Sequence, residues 1–324
     1  MTAAPKLRVA VLDDYQGAAL RYGPWDQVGD AVEVTCFTDH LYDRAAVIER
    51  LQPFDIVCLM RERTPFDATV IDALPKLKLI CSTAMWNAVL DSKHAVARGI
   101  CVSGTDSIQN GTPELIWLLL LALARHFDAE TRSLRDGGWM TQVGMDLRRS
   151  TLGLFGLGQI GRRVARVANA FGMTVLAYSQ NLTAERCAEV GATLVGKDEL
   201  LARADFISIS LKLSERTRAF VGARELALMK PTAYLINTSR GPIIDEDAVV
   251  AALRARRIAG FGVDAYNVEP LPADHPFRSL PNVVATPHIG YVTEQAYQMF
   301  YTQIVEAIRA WLDGQPIRQM GLPD

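Results

Sequence analysis

The sequence predicts an α/β protein with two parallel-sheet domains, one of them inserted into the other. Short apolar runs of strand character alternate with helical runs along the 324 residues, a pattern typical of parallel sheets covered by helices. A glycine-rich turn between a strand and a helix lies near the middle of the chain rather than near its start. The length of the chain also favours two domains over one.

The first third of the chain supplies one predicted sheet. Its helices are expected at 43–51 and 65–74, where helical runs separate the strand-like runs. The acidic pair Asp13 and Asp14 follows the first strand, and we expect both charges to face solvent. The predicted strands are Leu7–Leu12, Val32–Phe37, Asp55–Met60, Leu77–Ser82 and Ile100–Ser103.

A long helix is predicted to begin at Thr112. Thr112 suits the N-cap, Pro113 the first helical position and Glu114 the positive end of the helix dipole. The apolar run at 115–124 predicts a helix that is buried on most sides. The glycines that follow Asp136 are expected to end this helix.

A second alternating series predicts a doubly wound domain of six or seven strands. The last helix, Thr293–Asp313, has an apolar residue every fourth position and needs a partner face. We expect it to return to the first sheet, which gives a substrate domain at 1–105 and 293–324 and an inserted domain at 106–292. The predicted strands of the second series are Thr151–Phe155, Thr174–Tyr178, Ala192–Val195, Phe206–Ser210, Tyr234–Asn237, Gly260–Val263 and Val283–Ala285.

The glycine motif at 153–161 follows a predicted strand and opens a predicted helix, the context of a dinucleotide-binding fingerprint. Gly156 allows the tight turn and Gly158 lets the backbone approach a pyrophosphate. Gly161 lets the helix pack close to the strand, and the helix N-terminus favours phosphate charge.

Polar residues follow three predicted strands of the second series. Arg240, Glu269 and His288 come after the strands at 234–237, 260–263 and 283–285. Ligands of open parallel sheets bind outside the carboxyl ends of the strands, so we expect these side chains to face one cleft. A histidine there can transfer a proton, a carboxylate can orient it, and an arginine can bind a carboxylate.

Taken together with the motifs given below, these residues make the chain resemble the D-isomer-specific 2-hydroxyacid dehydrogenases over nearly its whole length. The resemblance implies a flavodoxin-like substrate domain with an inserted Rossmann domain, a cleft that closes on its ligands, and a homodimer. It is carried, in order, by Leu77–Ile80, Arg98–Val102, the motif at 153–161, Asn237–Gly241, Val263-Asp264 with Glu269-Pro270, and Thr286–Gly290.

The resemblance implies hydride transfer between a nicotinamide dinucleotide and a small 2-hydroxy or 2-keto acid. His288 and Glu269 would form the acid–base pair, Arg240 would bind substrate, and Asp264 would hold the nicotinamide carboxamide. Substrate binding is expected at Arg61, Ala84 and Met85. The full set of expected cofactor-binding residues is Gly156, Gly158, Gln159, Ile160, Gly161, Ser179, Leu211, Thr217, Thr238, Asp264 and Gly290.

Three segments depart from the family pattern, and one of them, Ser208–Ser214, replaces the usual histidine- and proline-containing segment that lines the adenine side. The usual acidic residue after the second strand is replaced by Ser179, and positions 179–182 hold no arginine or lysine. We therefore expect NAD as cofactor, with NADP not excluded. The glycine-containing turn that family members usually have after Leu77–Ile80 is replaced here by the sequence STAMWN at 82–87. Its bulky residues either reshape the substrate pocket or, in the case of Trp86, pack between domains.

Composition narrows the remaining function classes. The net charge of −2 argues against a nucleic-acid or polybasic membrane surface. The five scattered cysteines form no C-x-x-C pair and suit a reducing compartment. No histidine pattern predicts a metal site, residues 1–8 lack the apolar core of a signal peptide, and the longest apolar run is too short to cross a bilayer. We therefore expect a cytoplasmic enzyme.

Two alternative functions fit the same scaffold. Formate dehydrogenases resemble this chain but carry glutamine at the position of Glu269, which argues against that reaction. Related corepressors bind dinucleotide and partner proteins without needing catalysis, and they also keep the three polar residues. The sequence does not name the acid: glyoxylate, hydroxypyruvate, pyruvate and 3-phosphohydroxypyruvate all stay open.

Overall fold

The computed structural model describes residues 5–322, so the ends of the predicted first and last segments, residues 1–4 and 323–324, lie outside the described residues. The chain divides into two compact units. One unit takes the described residues up to Ile108 and from Val292 onward, and the other runs Gln109–Tyr291. Each unit is an α/β structure around a parallel sheet, which confirms the predicted fold class.

The first unit contains a five-stranded parallel sheet in the order β2-β1-β3-β4-β5. This is the strand order of flavodoxin-like folds. Its elements, in chain order, are β1 Leu7–Val11, α1 Ala19–Tyr22, β2 Val32–Cys36, α2 Arg44–Leu51, β3 Ile56–Leu59, α3 Ala68–Asp72, β4 Leu79–Ser82, α4 Ser92–Ala97 and β5 Cys101–Gly104.

The second unit contains a seven-stranded parallel sheet in the order β12-β11-β10-β9-β6-β7-β8. The order reverses at β6, which places a ligand crevice at its carboxyl end. The elements are α5 Gly111–Ala124, α6 Phe127–Arg135, β6 Thr151–Phe155, α7 Gln159–Ala170, β7 Thr174–Tyr178, α8 Ala184–Ala188, β8 Thr193–Leu194, α9 Lys197–Arg203, β9 Phe206–Ile209, α10 Ala223–Leu228, β10 Tyr234–Asn237, α11 Glu246–Arg254, β11 Gly260–Val263 and β12 Val283–Ala285.

The last helix, α12 Glu294–Leu312, belongs to the first unit and packs against α1, β4 and β5. Thr293 directly precedes this helix, and its side chain accepts a hydrogen bond from the Ala296 amide at 3.2 Å and so caps the helix. The inward face carries Phe300, Ile304 and Ile308, all fully buried. Burying this apolar stripe stabilises the docked helix because it removes a continuous hydrocarbon surface from water.

The predicted single helix from Thr112 to Asp136 is wrong. The structure has two helices, α5 and α6, separated at His126, whose backbone is left-handed with φ 51°. The cap prediction is also wrong, since α5 begins at Gly111. The Thr112 hydroxyl instead donates to the Gly290 carbonyl at 3.1 Å, which ties the start of α5 to the end of the unit.

The expectation that Asp13 and Asp14 face solvent is wrong as well, because both side chains are buried. The Asp14 carboxylate accepts hydrogen bonds from the Ala18 and Ala19 amides at 2.7 and 3.1 Å. Asp13 accepts from the Thr64 hydroxyl at 2.7 Å, and its other oxygen lies 2.8 Å from His40 Nδ1. Such full hydrogen bonding makes burial of a carboxylate tolerable.

Candidate functional site

The predicted site residues of the second unit lie along the carboxyl edge of the seven-stranded sheet. The register of the parallel strands brings the ends of β6, β9, β10, β11 and β12 level with one another. Polar residues that follow these strands therefore share one edge, although they lie far apart along the chain.

A short hydrogen bond joins two of these residues. His288 Nδ1 lies 2.5 Å from Glu269 Oε2, and both side chains are about four-fifths buried, with 19% and 22% exposure. The second carboxylate oxygen, Oε1, accepts from the Tyr266 amide at 2.9 Å. Glu269 is thus oriented by backbone, and it in turn fixes the ring of His288 with Nε2 on the opposite side.

Asp264 anchors the loop that carries His288. Oδ1 accepts from the Thr286 hydroxyl at 2.7 Å and from the Ile289 amide at 2.8 Å, and Oδ2 accepts from the Gly290 amide at 2.9 Å. Burial raises the pKa of the Asp264 carboxyl, and these hydrogen bonds oppose that rise. This bracing role was not predicted: the sequence indicated only a contact with a nicotinamide carboxamide.

Tyr266 links the loop that carries Glu269 to the loop that carries His288. Its hydroxyl donates to the Thr286 carbonyl at 2.7 Å, while its amide holds Glu269. Burial raises the pKa of the Tyr266 phenol, so the hydroxyl stays protonated and remains a donor. The acid–base pair therefore sits on two loops that are bonded to each other.

Arg240 lies on a loop that is braced from both sides. The Asn237 side chain donates to the Arg240 carbonyl at 3.0 Å and accepts from the Ser239 amide at 3.1 Å. The Ser239 hydroxyl donates to the Ile209 carbonyl at 2.8 Å. A Cβ on Gly241 would stand 2.0 Å from the Tyr266 carbonyl carbon, so a glycine is required for the Arg240 loop to approach the segment that carries Glu269.

The glycine motif forms a cradle at the N-terminus of α7. Gly156 has φ 96°, and a Cβ on Gly161 would lie 2.2 Å from the Gly156 carbonyl oxygen. A Cβ on Gly158 would meet nothing within 4 Å, so this glycine leaves open space beside the helix N-terminus. Amides of Gln159 and Ile160 begin the helix there. The open space and the orphan amides fit a pyrophosphate.

The remaining cofactor candidates lie nearby on the same edge. Ser179 follows β7 and is half-buried, and Thr238 follows β10 and is buried. Leu211 and Thr217 belong to the loop after β9, where Thr217 Oγ1 donates to the Lys212 carbonyl at 2.7 Å. In this loop the Ser210 hydroxyl is buried and, within residues 5–322, has no hydrogen-bond partner. An orphan hydroxyl at this edge fits a polar ligand.

One contact at this edge was missed from the sequence. Arg216, in a short turn at Glu215–Thr217, donates from Nη1 to Gln180 Oε1 at 2.8 Å. Gln180 directly follows Ser179, at the place where a dinucleotide's ribose is recognised. Local sequence could not reveal this contact because 36 residues separate the two side chains.

The three predicted substrate-binding residues belong to the first unit, at the carboxyl ends of β3 and β4. Arg61 has φ 53° and its amide donates to the Thr83 hydroxyl at 2.7 Å. Ala84 has φ 79°, and its amide donates to the Thr105 hydroxyl at 2.8 Å. Met85 is exposed. The Ala84 amide is therefore already hydrogen-bonded within the unit.

Asn87, one of the bulky residues of the turn at 82–87, makes its hydrogen bonds within the first unit. It is buried, and its amide nitrogen donates to the Arg61 carbonyl at 2.8 Å and to the Ser82 hydroxyl at 3.2 Å. Its Oδ1 accepts from the Val89 amide at 3.0 Å. Asn87 thus holds the turns after β3 and β4 together.

Within residues 5–322, no group of three or more histidine, cysteine, aspartate or glutamate side chains is arranged to hold a metal ion. No helix in that same range is both long and apolar enough to cross a membrane. All five cysteines, each inside this range, are free thiols.

Comparisons with known proteins agree on one family. Residues 117–290 match the family described as D-isomer specific 2-hydroxyacid dehydrogenase, NAD binding domain. A glyoxylate reductase of Korarchaeum cryptofilum is 35% identical over 280 residues, 84% of either chain. A D-3-phosphoglycerate dehydrogenase of Synechocystis is 35% identical over 85% of this chain but only 50% of its own.

Solved structures give the same result. The crystal structure of a phosphoglycerate oxidoreductase from Vibrio cholerae superimposes with a TM-score of 0.90 at 33% identity, covering 95% of this chain and 99% of that one. Likeness at this level of sequence and coverage extends to both units of the fold.

Proposed function

Since the chain belongs to the D-isomer-specific 2-hydroxyacid dehydrogenase family, we propose that it interconverts a D-2-hydroxy acid and a 2-keto acid, with His288 and Glu269 as the acid–base pair and Arg240 binding the substrate. The chain is an enzyme of this class and uses a nicotinamide dinucleotide. The observation that carries the assignment of roles is the 2.5 Å hydrogen bond between His288 Nδ1 and Glu269 Oε2.

That hydrogen bond defines which atom of His288 handles the proton. With Nδ1–H donating to Glu269, Nε2 is the nitrogen that gives a proton to the keto oxygen during reduction and takes it back during oxidation. The Glu269 carboxylate holds the ring in one orientation, with Nε2 turned away from it. Tyr266 and Asp264 keep both loops in place during this exchange.

When bound, a reduced nicotinamide dinucleotide would supply the hydride for C2 of the keto acid. The glycine cradle at 156–161 suits its pyrophosphate. Arg240 presents a planar fork of N–H donors that matches the substrate carboxylate and the neighbouring oxygen. In the first unit, Arg61 and the turn at Ala84 and Met85 are proposed to receive the substrate; because the Ala84 amide is bonded to Thr105, Met85 is the better amide donor.

A homodimer, implied by the family resemblance, is supported by exposed apolar side chains on the second unit. Large apolar side chains there are more than half exposed on α5, on α6 and in the segment after α6, an arrangement typical of protein–protein contacts. These residues are Leu118, Phe127, Leu134, Trp139, Met140 and Val143.

The proposed reaction is tested by following reduced nicotinamide absorbance with NADH and with NADPH across glyoxylate, hydroxypyruvate, pyruvate and 3-phosphohydroxypyruvate. We expect one acid to be strongly preferred. With that acid, His288→Ala should lower kcat by about 10²–10⁴-fold, the range for loss of a general acid. His94→Ala, which removes a partly exposed histidine of the first unit, is the matched control. Unchanged turnover in His288→Ala would overturn the assignment.

A further inference from the structure

The segment after β7 is electrically neutral where the ribose of a dinucleotide would be recognised. Ser179, Gln180 and Asn181 follow the end of the strand at Tyr178. A carboxylate at this place accepts hydrogen bonds from the ribose hydroxyls, whereas a nearby arginine accommodates a 2′-phosphate. The prediction of NAD depended on the lack of a basic residue in this segment.

The tertiary structure supplies a basic residue from another loop. Arg216 follows β9, and its Nη1 lies 2.8 Å from Gln180 Oε1. Strand β6 lies between β9 and β7 in the sheet, so the Arg216 loop reaches across the carboxyl end of the strand that leads into the glycine cradle. The guanidinium is thereby brought to the ribose segment.

The turn that carries Arg216 is held by its own hydrogen bonds. The Ser214 amide donates to Thr217 Oγ1 at 2.8 Å, and Thr217 Oγ1 donates to the Lys212 carbonyl at 2.7 Å. A fixed turn limits the conformations open to the Arg216 backbone. Binding a ligand there consequently needs less ordering of the chain.

The partner of Arg216 is an amide rather than a carboxylate. Arg203 and Arg224, on neighbouring helices of the same unit, pair with Glu199 and Asp198. Gln180 orients the Arg216 guanidinium but does not neutralise it. The contact uses one of five N–H donors, and the charge remains available for an anion.

We propose that Arg216 and Gln180, together with the polar side chains of Ser179 and Asn181, form a subsite for the 2′-phosphate of NADP, and that the enzyme prefers NADP to NAD. This inference rests on the proposed function, because the dinucleotide must first bind at the glycine cradle. A planar guanidinium matches phosphate oxygens in bidentate fashion, and no carboxylate at 179–182 opposes the phosphate charge.

The experiment is isothermal titration of the full chain with adenosine 2′,5′-bisphosphate and with adenosine 5′-monophosphate. Wild type should bind the bisphosphate more tightly. Arg216→Ala should weaken bisphosphate binding about tenfold or more, the effect of losing a charged hydrogen bond, and leave the monophosphate within about twofold. Arg166→Ala removes an exposed charge from α7 and should change neither affinity.

The outcomes separate the two proposals. Tighter binding of the monophosphate by wild type, or equal losses for both nucleotides in Arg216→Ala, would overturn the subsite and leave the dinucleotide site intact. Failure of both nucleotides to bind wild type would overturn the dinucleotide site itself. In turnover assays, Arg216→Ala should lower kcat/KM with NADPH and not with NADH; an equal loss with both would contradict the subsite.

Discussion

At the carboxyl edge of the seven-stranded sheet, the closest backbone approaches fall on glycines. At the same edge of the five-stranded sheet, left-handed backbone positions fall on residues that carry side chains. A Cβ on Gly161 or Gly241 would stand 2.2 or 2.0 Å from backbone atoms of another turn. In the first unit Asp13, Arg61 and Ala84 have φ values of 56°, 53° and 79°.

This difference shows two ways of shaping a ligand-binding edge. Glycine adopts crowded or left-handed backbone without strain, so the residue type alone produces the turn. A residue with a Cβ in left-handed backbone costs about 1–2 kcal/mol, and the rest of the structure must hold it there. In the first unit the hydrogen bonds to Asp13, Arg61 and Ala84 do this. At the carboxyl edge of the seven-stranded sheet His288 is left-handed too, at φ 53°, and Asp264 braces its loop.

The largest effect is expected when a Cβ is added on the glycine-shaped edge. Gly241→Ala forces the Arg240 loop away from Tyr266, and the free energy of unfolding should fall by about 3 kcal/mol, at the upper end for overpacking. Displacement of Glu269 should also lower kcat. Gly196→Ala is the control, since a Cβ there meets nothing within 4 Å. Chemical denaturation that finds the two variants equally stable would contradict the close approach.

A smaller effect is expected when one hydrogen-bonding group is exchanged on the other edge. Asp13→Asn keeps the size of the side chain and tolerates left-handed backbone, but it places an N–H₂ group opposite His40 or Thr64. The unfolding free energy should fall by about 1–3 kcal/mol because a buried polar group loses its partner. The exposed Asp30→Asn should be neutral. Equal denaturation midpoints would mean that the buried cluster does not support the turn.

The smallest effect, opposite in sign, is expected at Ala84. Ala84→Gly removes about 1–2 kcal/mol of left-handed strain and adds about 0.5–1 kcal/mol of chain entropy to the unfolded state, for a net stabilisation of about 0.5 kcal/mol. Ala73→Gly, at φ −81°, should destabilise. Thermal unfolding of both variants measures the difference. A midpoint for Ala84→Gly below that of wild type would show that the left-handed backbone at residue 84 is not strained.

The sequence by itself determined the architecture of the second unit closely. The bounds predicted for β6, β7, β10, β11 and β12 are confirmed residue for residue. These strands are short apolar runs between glycine or polar turns, and local period and residue type suffice to define them. The glycine motif and the polar residues after strands were identifiable for the same reason.

Only the tertiary structure decided which polar groups meet. It broke the predicted helix at His126, buried Asp13 against His40 and Thr64, and brought Arg216 to Gln180. The partners in these pairs lie 27 to 51 residues apart, beyond the range over which backbone preference or side-chain period acts. The hydrogen-bond partner of a buried charged or polar group is whichever distant group the packing brings within hydrogen-bond distance. Local sequence does not contain that information.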